Sequence, residues 1–191
     1  MTRPKRRANA DENESETAKP AARTMRVRGA RGSDRTFVLE TAERLAAFGP
    51  PRWRSADEII EGEARTLRDF FESSDEESRL LVVEAGDQQL GFALLEELRD
   101  YFTLERHGHI GILAVVEGAE GRGAGGALIR AAEAWARERG YRTLTLNVFS
   151  GNTHAREVYE HLGFEPDTVK YIKGVSIGAD GGNGVHNEET K

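Results

Sequence analysis

The spacing of hydrophobic residues in the first half of the chain predicts a strand, two helices and a β-hairpin. Residues 25–30 alternate between apolar and basic side chains, a pattern typical of a half-buried strand. Two segments with hydrophobic residues at helical spacing follow; Ser33 or Asp34 can cap the first, and the second starts near Ser55. Two apolar runs joined by a Gly-Asp dipeptide then predict an antiparallel hairpin over residues 80–95.

The second half of the chain predicts alternating strands and helices. The elements expected there are a strand at 109–116, a helix at about 125–139, a strand at 141–149, a helix at about 153–162 and a final strand at 169–175. The complete order, β-α-α-β-β-β-α-β-α-β, combines a hairpin with helical crossovers. It therefore predicts an α/β fold with a mixed sheet rather than a simple parallel repeat.

Composition and charge limit the classes of function. The chain has 191 residues, no cysteine and a net charge of −6. These values exclude disulfides, thiolate metal sites and a cysteine nucleophile, and they argue against a nucleic-acid-binding protein. No apolar run approaches the roughly 18 residues that a membrane helix needs. We therefore expect a soluble cytoplasmic protein without a membrane or nucleic-acid partner.

Low hydrophobicity at both ends predicts three regions. Residues 1–23 carry basic and then acidic side chains and, apart from Met1, no hydrophobic residue larger than alanine. Such a segment cannot bury enough surface to offset its chain entropy. We expect a disordered tail at 1–23, one folded domain at 24–175 and a flexible tail at 176–191.

The segment EGRGAGGA, residues 120–127, is a glycine-rich turn that leads into a predicted helix. Glycine permits positive φ angles and a close approach of the backbone to an anion, and the first N–H groups of a helix attract phosphate. The residues expected to contribute are Gly121, Arg122, Gly123, Ala124, Gly125 and Gly126. A loop that is only flexible is the alternative interpretation. The turn also fits G-x-G-x-x-G, but the next strand lacks the terminal acid that a dinucleotide site requires, which disfavours such a site.

A second motif, NTHAREVYEHLGF, follows at residues 152–164. Helical spacing places four of its residues on one face: Asn152, Ala155, Arg156 and Tyr159. Asn152 can also serve as a helix cap, and Tyr159 as a core aromatic residue. The joint arrangement of both motifs favours an enzyme that binds a phosphate-bearing cofactor and uses Tyr159 as a proton donor.

The two motifs resemble those of the GNAT superfamily of acetyl-CoA-dependent N-acetyltransferases. The strand ILAVV, the turn and the second motif are similar to the family's R/Q-x-x-G-x-G/A loop and its N-x-x-A-x-x-x-Y-x-x-x-G-F helix, over about residues 25–174. The resemblance implies a six- or seven-stranded, mostly antiparallel mixed sheet that splays in the middle. It also implies acetyl-CoA as co-substrate, with its pantetheine arm paired to the backbone of Leu113, Ala114 and Val115 and its pyrophosphate on the N–H groups of 121–126.

Two positions depart from the family pattern. Glu120 stands where arginine or glutamine is usual, and Glu117 stands where proline is common. A glutamate side chain near the pyrophosphate would weaken binding by repulsion. This departure is the main argument for an alternative function, a non-catalytic acetyl-CoA-binding regulatory module with a degenerate site.

The resemblance implies direct attack of a primary amine on the thioester. Tyr159 would protonate the departing thiolate, and backbone N–H groups near Val115 would stabilise the oxyanion. The candidates for the general base are Glu96, Glu97, Glu105, His107 and His109, with Glu97 or His109 preferred. His107 and His109 share a strand face, but a third ligand is not evident, so we expect no metal.

The amine acceptor is expected to enter between the first two helices and the connection at 99–107. Acidic residues there favour a cationic amine: Asp57, Glu58, Glu61, Asp100 and Glu105. An ordinary solvated helix surface is the alternative interpretation of these charges. A polyamine, an aminoglycoside, an amino acid and a protein lysine all stay open as the acceptor, as does homodimer formation.

Overall fold

The computed structural model of the chain describes residues 24–48, 50–73 and 77–175. The tails predicted at 1–23 and 176–191 lie outside the described residues. The chain divides into two compact units between Thr153 and His154.

The first unit combines a five-stranded sheet with α-helices. Its elements are β1 (Met25–Gly29), α1 (Arg35–Ala42), α2 (Ala56–Glu72), β2 (Arg79–Ala85), β3 (Gln88–Arg99), β4 (Arg106–Val115), α3 (Ala124–Glu138) and β5 (Leu144–Leu146). Short 3-10 segments at Gly32–Asp34 and Glu43–Ala47 flank α1. Helix α4 (Thr153–His161) begins at the boundary, and from His154 onwards it belongs to the second unit.

The sheet has the strand order β1-β2-β3-β4-β5. The first three pairings are antiparallel, and β4 and β5 pair in parallel. The mixed, mostly antiparallel sheet is therefore confirmed, with five strands in the described part of the chain rather than six or seven. The hairpin between β2 and β3 turns at Gly86, whose φ of 62° suits glycine.

The start of α2 follows the sequence prediction. The Ser55 hydroxyl accepts a hydrogen bond from the Glu58 N–H at 3.1 Å, and the Ser55 N–H donates to the Glu58 carboxylate at 2.7 Å. This reciprocal capping box satisfies two N–H groups that a helix end would leave unpaired. Asp34 is the N-cap of α1 without a side-chain capping bond; its carboxylate instead accepts from Arg28 at 2.7 Å and from the Arg31 N–H at 2.6 Å.

Helices cover both faces of the sheet. One core cluster joins Val38 of α1 and Leu67 of α2 to Phe92 and Leu94 of β3. On the opposite face, α3 buries Trp135 close to Gly108, where a β-carbon would lie only 2.9 Å from the indole ring. The two faces alternate along β3, as the pleat of a strand requires.

Of the two strands predicted in the C-terminal third, the one at 141–149 is confirmed only in part, and the one at 169–175 is wrong. The strand expected at 141–149 is limited to Leu144–Leu146, because its parallel pairing with β4 ends there. No strand is assigned at 169–175, the last described residues. Tyr171 and Val175 are 91% and 85% exposed. The apolar side chains of this segment are largely exposed, so they do not supply the burial that stabilises a strand within a sheet.

Candidate active site

The sheet opens on one side of β4. Parallel pairing between β4 and β5 ends at Ile110 and Leu146, whereas β4 continues to Val115. Gly111 is the point of change: Leu95 pairs with Ile110 and Leu94 with Ile112, so Gly111 is an extra residue in β4. A bulge of this kind bends a strand and breaks its ladder. In the described part of the chain, β4 beyond Ile110 thus has a strand on one side only.

The exposed edge of β4 presents backbone groups from alternate residues. The Val116 N–H donates to the Leu90 carbonyl at 2.9 Å and therefore faces β3. Because the N–H and C=O groups of successive residues point to opposite sides, Ala114 also faces β3, while Leu113 and Val115 face away from it. Leu113 and the N–H of Val115 can pair with an extended ligand in the opening, whereas the Val115 carbonyl accepts a hydrogen bond from Arg44. Ala114 was expected to join them, but its amide is turned to the neighbouring strand.

The glycine-rich turn forms the end of this opening. Gly118, Gly121 and Gly123 have φ angles of 77°, 70° and 91°, which favour glycine, and a β-carbon on any of them would meet open space. Gly123 is the N-cap of α3 and offers no side-chain capping bond. The space around these glycines lets an anion approach the first N–H groups of α3, which have no partner within the helix. Arg122 is exposed at the same turn.

The residue at the head of the turn has a partner that the sequence did not reveal. Arg44, in the 3-10 segment after α1, forms an ion pair with Glu120, and its Nε donates to the Val115 carbonyl at 2.9 Å. A second carboxylate, that of Glu117, lies 3.8 Å from the same guanidinium. The expected repulsion from Glu120 is thus met by a cation from a distant part of the chain.

Glu97 is held in a hydrogen-bonded network on the α3 face. The Tyr141 hydroxyl donates to its carboxylate, and Arg106 forms an ion pair with it at 2.9 Å. The hydrogen bond from Tyr141, followed by the positive charge of Arg106, lowers the pKa of Glu97. Burial raises the pKa of Tyr141, so the phenol keeps its proton. A carboxylate with a lowered pKa is a weaker base than a free one.

His109 lies on β4 opposite Thr145 of β5, and each of its ring nitrogens has a polar neighbour. Thr145 Oγ1 lies 2.8 Å from Nδ1, and Asn147 Nδ2 lies 3.5 Å from Nε2. Burial, followed by the charge of His107, lowers the pKa of His109. The ring is therefore a neutral imidazole that links the two strands where the sheet opens.

Glu96, another of the sequence candidates for the general base, lies at the bulge of β4. It pairs in register with His109, so both side chains project from the α2 face of the sheet. Its carboxylate lies over the bulge, since a β-carbon on Gly111 would approach Glu96 Oε2 to 2.5 Å. Burial and the charge of Glu96 raise the pKa of Glu63 on α2, which places a second carboxyl group nearby. Glu96 is thus the glutamate beside the opening, and Glu97 the one behind it.

Several acidic residues of the expected acceptor region have local partners. Glu58 caps α2, and Glu61 forms an ion pair with Arg68 at 3.0 Å. Asp100 accepts hydrogen bonds from the Phe102 and Thr103 N–H groups and so closes its own turn. These contacts account for much of the acidity that suggested an amine-binding surface there.

In the second unit, Tyr159 belongs to the C-terminal capping motif that ends α4. The Phe164 N–H donates to the Tyr159 carbonyl and the Gly163 N–H to the Glu160 carbonyl, at 3.0 and 3.1 Å, with Gly163 at a φ of 89°. This is a Schellman motif, and the Tyr159 and Phe164 rings complete it with an edge-to-face contact at 5.9 Å. Burial raises the pKa of Tyr159, so its hydroxyl stays protonated.

The remaining residues of the second motif surround the start of α4. Asn152 directly precedes the helix, and its N–H donates to the Phe149 carbonyl at 2.9 Å. Tyr159 lies four residues after Ala155 and three after Arg156 within the helix, so each of them neighbours Tyr159 on the helix surface.

A comparison with known families decides the assignment. The profile of the Acetyltransferase (GNAT) family matches residues 31–164, which include both motifs and most of the sheet. The chain belongs to the GNAT acetyltransferase family. It is accordingly an acetyl-CoA-dependent acyltransferase.

Characterised and uncharacterised relatives agree with this assignment. The chain is 31% identical over 144 residues to an uncharacterised N-acetyltransferase, YhfO, of Bacillus subtilis, covering 75% of this chain and 92% of the relative. It is 38% identical over 95 residues to a mycothiol acetyltransferase of Beutenbergia cavernae, covering 50% of this chain but only 31% of that protein.

Solved structures share the GNAT fold. A putative acetyltransferase from Pyrococcus furiosus matches with a TM-score of 0.65 at 21% identity, covering 80% of this chain and all of that one. The aminoglycoside N-acetyltransferase AAC(6')-Iy in complex with CoA matches with a TM-score of 0.61 at 19% identity, covering 81% of this chain and 97% of that one. At these identities the likeness concerns the fold.

Among the described residues, no three histidine or acidic side chains are grouped as metal ligands. Within the same residues, none of the helices combines the length and apolar character needed to cross a membrane.

Proposed function

We propose that this acetyltransferase transfers the acetyl group of acetyl-CoA to a primary amine by direct attack. The proposal is carried by the edge of β4 from Gly111 to Val115, which has no strand beside it among the described residues and which leads into the glycine turn. Acetyl-CoA fits this arrangement, because its extended pantetheine arm carries amide groups that can pair with the strand edge and its pyrophosphate can bind at the turn. The similarity to an N-acetyltransferase over most of its length supports nitrogen as the acceptor atom.

The cofactor would contact backbone more than side chains. Leu113 and Val115 would pair with the pantetheine arm, and N–H groups of the turn and of the start of α3 would bind the pyrophosphate. The turn residues in question are Gly121, Arg122, Gly123, Ala124, Gly125 and Gly126. From the second motif we carry over Asn152, Ala155, Arg156 and Tyr159 as cofactor-binding residues.

In the reaction, the amine nitrogen attacks the thioester carbonyl, and the C–S bond breaks as the tetrahedral intermediate collapses. Backbone N–H groups near Val115 are fixed dipoles suited to the oxyanion. Tyr159 would donate its proton to the departing sulfur; its raised pKa supports this role, because the acid form persists at neutral and mildly alkaline pH.

We infer that Glu96 accepts the proton that the attacking amine loses, directly or through a water molecule. Its position over the bulge supports this role, since the bulge marks the start of the opening. Glu97 and His109, the candidates preferred from sequence, are less suited. Glu97 pairs with Gly108 and so projects from the α3 face of the sheet, behind the opening, and the ring of His109 lies against Thr145 of β5.

We further infer that the acceptor carries positive charge. A pocket on the α2 side of the sheet is lined by two acidic residues, Asp69 and Glu96. Its other lining residues are Thr66, Phe70, Ser73, Ser78 and Leu94. Two carboxylates in one pocket favour an ammonium group over a neutral or anionic one.

Thiol release from acetyl-CoA tests the function. The purified chain is incubated with acetyl-CoA and a panel of amines that includes polyamines, aminoglycosides, amino acids and lysine peptides, and calorimetry measures acetyl-CoA binding in parallel. Amine-dependent thiol release with acetylated product detected by mass spectrometry is expected. Absence of acetyl-CoA binding would contradict the proposal at its first step.

A further inference from the structure

Glu120 and Glu117 put two negative charges at the head of the glycine turn. Both face a single guanidinium, that of Arg44, which forms an ion pair with Glu120 and lies 3.8 Å from Glu117. The Arg44 side chain is only 24% exposed, whereas that of Glu120 is 44% exposed. Arg44 is therefore the better-shielded member of the pair, and the Phe48 ring lies 6.0 Å from its guanidinium carbon.

Arg44 also contacts the strand that precedes the turn. Its Nε donates to the Val115 carbonyl at 2.9 Å, on the edge of β4 that faces away from β3. The planar guanidinium thus connects the end of β4 to the head of the turn, using one nitrogen for each. Three glycines with left-handed φ angles leave the turn few conformational restraints of its own. A contact at each end restrains it.

We propose that Arg44 is a positioning residue for acetyl-CoA binding, which acts by cancelling the charge of Glu120 at the head of the glycine turn. This inference rests on the proposed function. Without Arg44, the carboxylate of Glu120 would face the pyrophosphate uncompensated, and like charges at this distance repel. Position 120 carries a glutamate where arginine or glutamine is usual in the family. Arg44, which follows α1, supplies a positive charge at this place instead.

Paired substitutions test this role. Arg44→Ala is expected to weaken acetyl-CoA binding about tenfold, the scale of one charge-assisted contact, and to raise the KM for acetyl-CoA with a much smaller change in kcat. Adding Glu120→Gln to Arg44→Ala removes the uncompensated charge and is expected to recover most of the affinity. Arg44→Gln, which keeps a donor for Val115 but no charge, is expected to behave like Arg44→Ala and to recover with Glu120→Gln as well.

Arg35→Ala is the matched control. Arg35 forms an ion pair with Glu72 at 2.8 Å on the exposed side of α1 and carries the same charge. Calorimetry with acetyl-CoA and thermal unfolding are measured for every variant. Unchanged affinity in Arg44→Ala would overturn the inference, and so would weak binding that Glu120→Gln fails to recover. Failure of the wild-type chain to bind acetyl-CoA would instead count against the proposed function.

Discussion

The carboxylate of Glu96 lies directly over the backbone of Gly111, at the bulge where β4 leaves β5. A β-carbon at Gly111 would come within 2.5 Å of Glu96 Oε2 and 3.2 Å of its carboxyl carbon. Only glycine at this point leaves room for the glutamate. The two residues together place a carboxylate where the sheet opens.

Gly111→Ala is therefore expected to displace Glu96 without unfolding the chain, because the contact is with the end of a flexible side chain. A displacement of about 1 Å in a catalytic group can lower kcat by about 100-fold. Steady-state kinetics at saturating acetyl-CoA and acceptor measure the effect. Gly62→Ala is the control, since a β-carbon there meets open space. Equal loss in both variants would show that the effect is not specific to the bulge.

Substitution of the two neighbouring glutamates distinguishes their roles. Glu96→Gln is expected to lower kcat by about 100- to 10,000-fold, the range for loss of a general base. Glu97→Gln is expected to retain turnover and to lower the melting temperature slightly, because it weakens the contacts with Tyr141 and Arg106. Kinetics and thermal unfolding are compared for the two variants. The reverse pattern would return the base to Glu97.

Contacts between residues close together in the sequence could be predicted, and contacts between distant residues could not. The capping box of Ser55 and Glu58 spans three residues, and the Schellman motif of Tyr159 and Phe164 spans five; both can be identified from residue type and spacing. Arg44 and Glu120 are 76 residues apart. No local pattern joins them, and only the fold brings them into contact.

The bulge illustrates a second limit. Gly111 was visible as a glycine in a strand, which is a recognised sign of a bulge or a close approach. The sequence does not show what the bulge changes. The extra residue in β4 alters which of its side chains lie on the same face of the sheet. His109 and Ile112 are three residues apart, yet one lies opposite Glu96 and the other opposite Leu94, on the same side of the sheet. The choice between Glu96 and Glu97 depended on that register.

His109 is expected to make the fold less stable in acid. Burial lowers its folded pKa below the ordinary value of 6.5, so the unfolded chain binds a proton that the folded chain resists. Stability should fall as the pH decreases through 6.5 and stop falling below the folded pKa. A single proton contributes a slope of at most about 1.4 kcal/mol per pH unit. Urea unfolding between pH 5 and pH 8, a range of about three units around this pKa, measures the slope.

His109→Asn is expected to flatten that slope, because it removes the titrating group and keeps a side chain that can bond to Thr145. His154→Asn, at an exposed position, should leave the slope as in the wild type. A slope that persists in His109→Asn would assign the acid sensitivity to other groups.

Tyr159→Phe tests the proton donor while preserving the local structure. Phenylalanine keeps the ring that packs on Phe164, and the backbone bonds of the Schellman motif do not involve the hydroxyl. We expect an unchanged melting temperature and acetyl-CoA affinity, and a kcat lower by about 100- to 10,000-fold. Tyr171→Phe removes a hydroxyl from a ring that is 91% exposed and serves as the control. A leaving thiol of lower pKa needs less help from an acid, so thioester analogues with such thiols should narrow the gap between Tyr159→Phe and the wild type. A gap that stays constant across those analogues, or turnover that is equal in both enzymes at saturating acceptor, would remove Tyr159 from the acid role.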